Sequence, residues 1–343
     1  MPRPLYARAA LLLALGLAPA LTAQTRPVEE AEEPGGQTVA AEGRLYDQLV
    51  SQFQREYLRF TALIQAVPFV PLEEAEGNRE RFDLAAARLG IAGRLDGGIG
   101  YFLRGEFAKS PALLDVYVSY GSDDARVLVG QQKVPFSREF ITGAGDIDFV
   151  NRARVVRALV PGRQVGAAFR VSPGGGPLVL RGGVFNASFP GDLPQARRGG
   201  VLLAGRAQGT FPLGDGVFEA GANVAYDTPD TSDQLDVPGR LLAGADARLR
   251  LGRVLLAAEA IAQRVSDTPA LDRDGGFITA GFDVTEADRV LVRIDHFRSE
   301  NELLLGYNRT LTRAASVQAN AAVPLDEDDP NPARLVFNFQ LSF

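Results

Sequence analysis

"ARLVFNFQLSF", residues 333–343, is the stretch on which the fold turns. Counting back in twos from Phe343 gives Leu341, Phe339, Phe337 and Leu335, all large and apolar. Between them stand Ser342, Gln340, Asn338, Val336 and Arg334, mostly polar. A period of two is a strand whose two faces meet different surroundings. In a soluble sandwich the apolar face meets a second sheet, and a chain end usually frays into polar residues. A strand that closes on a bulky aromatic suits a greasy face turned to lipid, with the aromatic at the membrane interface.

The other end of the chain agrees. "MPRPLYARAALLLALGLAPALTAQ" carries Arg3 and Arg8, an apolar run from Ala9 to Leu17, and small residues up to Ala23. That order predicts a secretory signal peptide over residues 1–23, cleaved after Ala20 or Ala23, with a core too short to span a bilayer as a helix. A retained membrane anchor is the alternative reading of the same residues. No later stretch approaches the ~20 continuous apolar residues of a transmembrane helix.

Composition fits a strand-and-turn protein, with 46% hydrophobic residues, 37 glycines and no cysteine. The last point removes disulfides, thiol catalysis and cysteine metal sites. Without Arg3 and Arg8, 34 basic residues face 42 acidic ones, a formal charge of −8 that argues against a nucleic-acid binder. Residues 24–55 read as the acidic linker "PVEEAEEPGG" followed by a short periplasmic helix, in which Leu45, Leu49, Phe53 and Tyr57 recur every four residues.

From residue 56 to 343 alternating segments follow almost without a break. In "RLLAGADARLRL", Leu241, Ala243, Ala245, Ala247, Leu249 and Leu251 share one face, and Leu242, Gly244, Asp246, Arg248 and Arg250 the other. Each segment is near the ~9–11 residues of a tilted membrane strand. Sixteen are expected, near 56–67, 81–96, 98–108, 112–120, 125–133, 164–172, 176–188, 199–210, 217–227, 239–250, 253–265, 275–283, 289–299, 302–309, 314–323 and 333–343. Connections after even segments are short, such as Asp96–Gly97, "LG" and "LTR". Several after odd ones are long, such as "VPFVPLEEAEGNRE" and "DTPDTSDQLDVP"; those near Lys109–Pro111 and Ser299–Asn301 are short exceptions. The expected fold is an all-β, transmembrane antiparallel β-barrel of sixteen strands in a bacterial outer membrane. A soluble β-sandwich shares the alternation but neither the leader nor the loop asymmetry.

The longest connection, "VPFSREFITGAGDIDFVNRARVVRALVPGR" from Val134 to Arg163, is too rich in Phe136, Phe140, Ile141, Ile147 and Phe149 for a disordered tail. It is expected to fold inward and narrow the lumen. Arg138, Arg152, Arg154, Arg157 and Arg163 outnumber Glu139, Asp146 and Asp148 there, and arginines at a constriction favour anions. Lys133, at its base, is a further candidate, although its strand parity is ambiguous. The equally ordinary reading of any one arginine is that it ties the loop to a wall carboxylate.

"RFDLAAARLGIAGRL", "DVYVSY", "VLVGQQKVPFSREF" and "DFVNRARVVRALVPGRQVGAAF" resemble the phosphate-selective porin family, the O and P type. The spaced motif is Gly130, Gln131, Lys133, Pro135 and Phe136, then Phe149 and Arg152, then Pro161, Gly162, Arg163 and Gly166. The resemblance implies a trimeric, sixteen-stranded outer-membrane channel for small anions, in which arginines and lysines line the pore. This chain has only Lys109 and Lys133 as lysines. Alternation turns Arg59, Arg88, Arg94, Arg104, Arg181, Arg206, Arg248, Arg250 and Arg293 inward, with Glu106, Asp115, Glu219, Asp246, Glu259, Asp283 and Asp295, a lumen of mixed sign.

Catalytic patterns are not met. His296, the single histidine, lies on the lipid-side parity without a second histidine for metal or acid–base work. There is no G-x-S-x-G elbow and no phosphate-cradling G-x-x-x-x-G-K. "DRDGG" and "GDGVFEAG" are acidic turns without EF-hand spacing. The expected function is passive diffusion of small hydrophilic solutes, anions such as phosphate among them. The competing reading is a non-channel barrel with a structural or ligand-binding role; an outer-membrane hydrolase is a distant third. Expected partners are outer-membrane lipid, two further copies of the chain and the barrel-assembly machinery through Phe343, with no cofactor, metal or nucleic acid.

Overall fold

The computed structural model describes residues 54–55, 58–72, 79–108, 112–187, 199–232, 235–326 and 331–343. The expected signal peptide, the acidic linker and most of the expected periplasmic helix lie outside them. Gln54–Arg55, at the end of that segment, pair as a short strand with Arg59 and Leu58.

Sixteen long strands follow, each within a few residues of an expected segment. They are β1 Leu58–Pro71, β2 Arg81–Arg94, β3 Ile99–Glu106, β4 Ala112–Gly121, β5 Ala125–Lys133 and β6 Arg163–Val171. Next come β7 Leu178–Asn186, β8 Val201–Leu213, β9 Gly216–Asp227, β10 Arg240–Leu251 and β11 Val254–Val265. The last are β12 Arg273–Asp283, β13 Asp288–Phe297, β14 Glu300–Thr310, β15 Ala315–Pro324 and β16 Arg334–Ser342. Every strand pairs antiparallel with its neighbours in sequence, and β16 pairs with β1, so the sheet closes. The seam runs to the last residue, where Ala62 and Phe343 exchange backbone hydrogen bonds of 2.7 and 3.1 Å. Closure leaves no free sheet edge, which a strand structure in lipid requires.

The faces separate as the alternation dictates. Leu203, Val224, Leu241, Leu256, Ile278, Ile294 and Phe339 point outward and stay exposed. Their neighbours Leu202, Leu242, Leu255, Arg293 and Asn338 point inward and are buried. Such an exposed apolar exterior is unfavourable in water and favourable in hydrocarbon. One connection departs from expectation: within "DTPDTSDQLDVP", Asp230–Ser232 and Leu235–Val237 form a small hairpin of their own.

The long connection between β5 and β6 contains two short helices, α1 Arg138–Ile141 and α2 Arg154–Leu159. It lies inside the cylinder. Phe136, Val155, Val156 and Leu159 pack with Leu202, Leu242, Ile261 and Phe277 of the wall. Phe149 packs separately with Leu255, Leu291 and Leu304. Inward leucines on a water-filled wall are unfavourable by themselves; beneath the loop they form its binding face.

Candidate functional site

The loop leaves the wall through its family-like motif. Gly130 has φ +135°, and a Cβ there would lie 2.2 Å from the Val116 carbonyl oxygen, so glycine is required. The β4–β5 ladder ends at Val116 and Gln131. Beyond it, the Gln131 side-chain amide donates to the Leu113 and Leu114 carbonyls at 2.6 and 3.0 Å, replacing missing ladder bonds. Lys133 then turns inward, and its Nζ donates to the carbonyls of Phe140, Ile141 and Thr142 at 2.6, 3.2 and 2.9 Å. These are the carbonyls a short helix leaves open at its C-terminus. At the other end of α1, the Ser137 hydroxyl accepts from the Phe140 N–H. The motif is therefore a launching and capping device, and the Lys133 ammonium that caps the loop backbone also borders the recess between loop and wall.

Wall side chains fix the rest of the loop. Gln65 donates to the Ala144 carbonyl, Gln340 to Gly145, Gln318 to Ile147 and Asn308 to Asp148. Asn223, Glu259, Asp295 and Asn320 accept from the backbone N–H groups of Ser137, Glu139, Arg154 and Val150. Contacts with β1, β9, β11 and β13–β16 carry the loop across the lumen.

Ion pairing divides the expected site residues. Arg138 pairs with Glu219 at 2.6 Å, and Arg154 is buried against Glu300. Arg248 holds Asp148 at 2.6 and 3.1 Å. Arg206 is buried in a cluster with Asp246 and Asn223. Arg293, 2% exposed, reaches Glu139 at 2.7 Å between the rings of Phe149 and Phe277. Of these, Arg206, Arg248 and Arg293 lie on the inward face of their strands; the loop covers Arg206 and Arg293 and takes its own Arg138 and Arg154 into its anchorage. The docked loop excludes water from Arg154, Arg206 and Arg293, while Arg138 and Arg248 border a recess of about 240 Å³ beneath it.

On β2–β7 the arrangement differs. Arg88 bonds Glu106 at 2.7 Å; Arg163 holds Asp115 at 2.9 and 3.2 Å, with Arg104 3.8 Å from the same carboxylate. Arg152 donates to the Glu139 and Thr142 carbonyls and makes no ion pair among the described residues. Burial, and then the fields of Arg163 and Arg88 working against Glu139, draw its guanidinium below the ordinary value. Arg126, Arg170 and Arg181 also face inward here without an ion pair among the described residues; Arg170 donates to the Asp123 carbonyl and Arg181 to Gln208. Arg126 and Arg170 follow from strand parity, since outward Val127 and Val129 turn Arg126 inward and outward Phe169 does the same for Arg170. Arg157 is exposed and borders a recess of about 390 Å³ with Arg81, Asn151 and Arg334. Arg59, Arg94 and Arg250 stand toward the end of the barrel with the tight turns, where Arg94 meets Asp123 and Arg250 meets Asp283.

The profile of the family described as phosphate-selective porin O and P matches residues 64–243, just over half the chain. No curated protein matches the sequence. Among solved structures, an anion-selective porin from Comamonas acidovorans is similar with TM-score 0.64 at 15% identity, over 83% of this chain and 99% of that one. The Salmonella typhi OmpF complex with daunomycin aligns with TM-score 0.62 at 11% identity, over 83% and 97%. The outer-membrane channel DcaP of Acinetobacter baumannii gives 0.57 at 12%, over 83% and 97%. At such identities the likeness concerns the sixteen-stranded fold.

Proposed function

The chain belongs to the phosphate-selective porin O and P family, outer-membrane channels for small solutes, and on that premise we propose that its passage favours anions. The observation that carries this reading is the imbalance on β2–β7. Arg81, Arg88, Arg104, Arg126, Arg163, Arg170 and Arg181 of that wall, with Arg152 of the loop, face ion-paired inward carboxylates at Asp83, Glu106 and Asp115. Fixed cations in a confined, poorly screened space lower the cost of bringing in an anion and raise it for a cation. Under the loop, Arg206, Arg248 and Arg293 are ion-paired, and Glu259 and Asp295 accept from loop backbone N–H groups without an ion pair among the described residues, so that half adds no excess of positive charge. The passage therefore runs on the β2–β7 side of the loop, beside Gly143 and Arg104, where two recesses meet the same residues.

We also infer a homotrimer, an expectation that rests on the family resemblance. In either state the family and the closed barrel support a channel rather than an enzyme, and His296 bonds the Asn301 side-chain amide. The test of charge preference is the reversal potential of the purified, folded protein in a planar bilayer under a KCl gradient. Anion preference is expected, reduced by Arg104→Ala and by Arg152→Ala. A cation-preferring channel that neither substitution alters would refute the reading.

A further inference from the structure

Inward-facing Leu202, Leu242, Leu255 and Ile261 are explained by the loop that covers them. Phe102, Tyr117 and Leu128 also face inward, from β3, β4 and β5, yet remain partly exposed. They border a recess of about 450 Å³ between Ile141 and Gly143 of the loop and the wall strands. The Phe102 and Tyr117 rings stand 5.5 Å apart at 32°, and the Arg104 guanidinium lies 4.7 Å from the Phe102 centroid. Toward the end with the tight turns, the same recess is lined by Arg126, Arg170 and Arg181.

An inorganic oxyanion uses hydrogen-bond donors and gains nothing from two aromatic rings and a leucine. Apolar area held against water costs ~25 cal/mol per Å², so a wall serving only hydrated ions has no reason to carry it. An arene bearing one carboxylate matches both parts of the lining. Its ring can cover Tyr117 and Leu128 while its charge meets the arginines, and aromatic faces also tolerate the nearby guanidinium. We propose that this recess is a subsite for aromatic carboxylates on the route through the barrel. The assignment rests on the anion-favouring reading above and narrows it to a chemical class.

The test measures chloride current through the full-length folded protein in a planar bilayer while benzoate, acetate or inorganic phosphate is added at equal ionic strength. Benzoate is expected to reduce the current with an apparent affinity about tenfold above that of acetate, with phosphate no stronger than acetate. Tyr117→Ser should bring benzoate down to the acetate level. The wild-type comparison stands even where that variant folds poorly. Equal block by benzoate and acetate, or stronger block by phosphate, overturns the aromatic subsite while a KCl reversal potential still reports anion preference. Loss of anion preference itself would instead remove the premise.

Discussion

Two halves of one inner wall use arginine in opposite ways. On β8–β14, Arg206, Arg248 and Arg293 each meet a carboxylate, and two of those carboxylates, Asp148 and Glu139, belong to the loop. On β2–β7, Arg126 and Arg181 have no such partner among the described residues, and Arg104 shares Asp115 with Arg163. The difference follows from where the loop docks. Under the loop, an unpaired guanidinium would be desolvated at a cost of several kcal/mol, so Arg206, Arg248 and Arg293 each meet a carboxylate, while Glu259 and Asp295 are met instead by loop backbone N–H groups. Facing water, a guanidinium can remain unpaired and act at a distance on ions. An arginine in this protein is thus structural or electrostatic according to whether the loop covers it.

The largest effect should come from detaching the loop from its paired half. Phe149 is fully buried among Leu255, Leu291 and Leu304, and Phe149→Ala removes that contact at a cost of roughly 3–5 kcal/mol. The closed sheet does not depend on this residue, so the barrel should assemble while the loop becomes mobile. Single-channel conductance should rise and become noisy. An unchanged, quiet conductance would mean that the loop is held by its polar contacts alone.

Lys133→Met should act next most strongly. It strips three hydrogen bonds from the end of α1, roughly 1–3 kcal/mol for carbonyls left without donors. Lys133 borders the recess and, like Arg152, donates to loop carbonyls without an ion pair among the described residues, so the substitution should both increase current noise and lower anion preference. Lys133→Arg should restore anion preference and, in part, quiet openings. An unchanged reversal potential in Lys133→Met would place this cation outside the field of the passage.

A weaker effect separates the halves by salt. Screening shortens from ~10 Å at 0.1 M to ~3 Å at 1 M, so exposed cations lose reach while buried pairs hardly change. Anion preference should decline across that range, with conductance noise unaltered. A rise in noise with salt would show that the paired half is wetter than its burial implies.

The barrel was legible because strand parity is local. "RLLAGADARLRL" assigns its own faces, and "ARLVFNFQLSF" its lipid side, without reference to any other segment. The site was legible only to the same depth. Parity turned Arg206 and Arg104 inward alike, but nothing near either residue says that Asn223 and Asp246 bury one while the other borders an open recess. That distinction is set by contacts between segments far apart in sequence, such as Glu139 with Arg293. Lys133 illustrates a second limit, since its strand breaks alternation at Gly130 and parity ceases to predict direction. Inward aromatics such as Phe102 and Tyr117 have the sequence pattern of core residues, and only the position of the docked loop leaves them bordering a recess.

The smallest expected effect concerns acid, and its sign follows from the Asp148–Arg248 bridge that ties loop to wall. Burial by itself would raise the Asp148 carboxyl; hydrogen bonds and charge from Arg248, with Arg293 and Arg289 behind them, reverse this and hold it below the usual carboxylate range. A carboxyl lowered on docking contributes stability that is complete above its undocked value of about 3.9 and is lost as pH falls through the lower docked value. Conductance should therefore be flat from pH 8 to pH 5 as far as this bridge is concerned, and the loop should loosen only below about pH 4. Asp148→Asn should show at neutral pH the noise that the native protein acquires in acid, and should abolish that acid step. An acid step that persists in the variant would assign the transition to another carboxylate, and the paired half would then owe its docking to a different bridge.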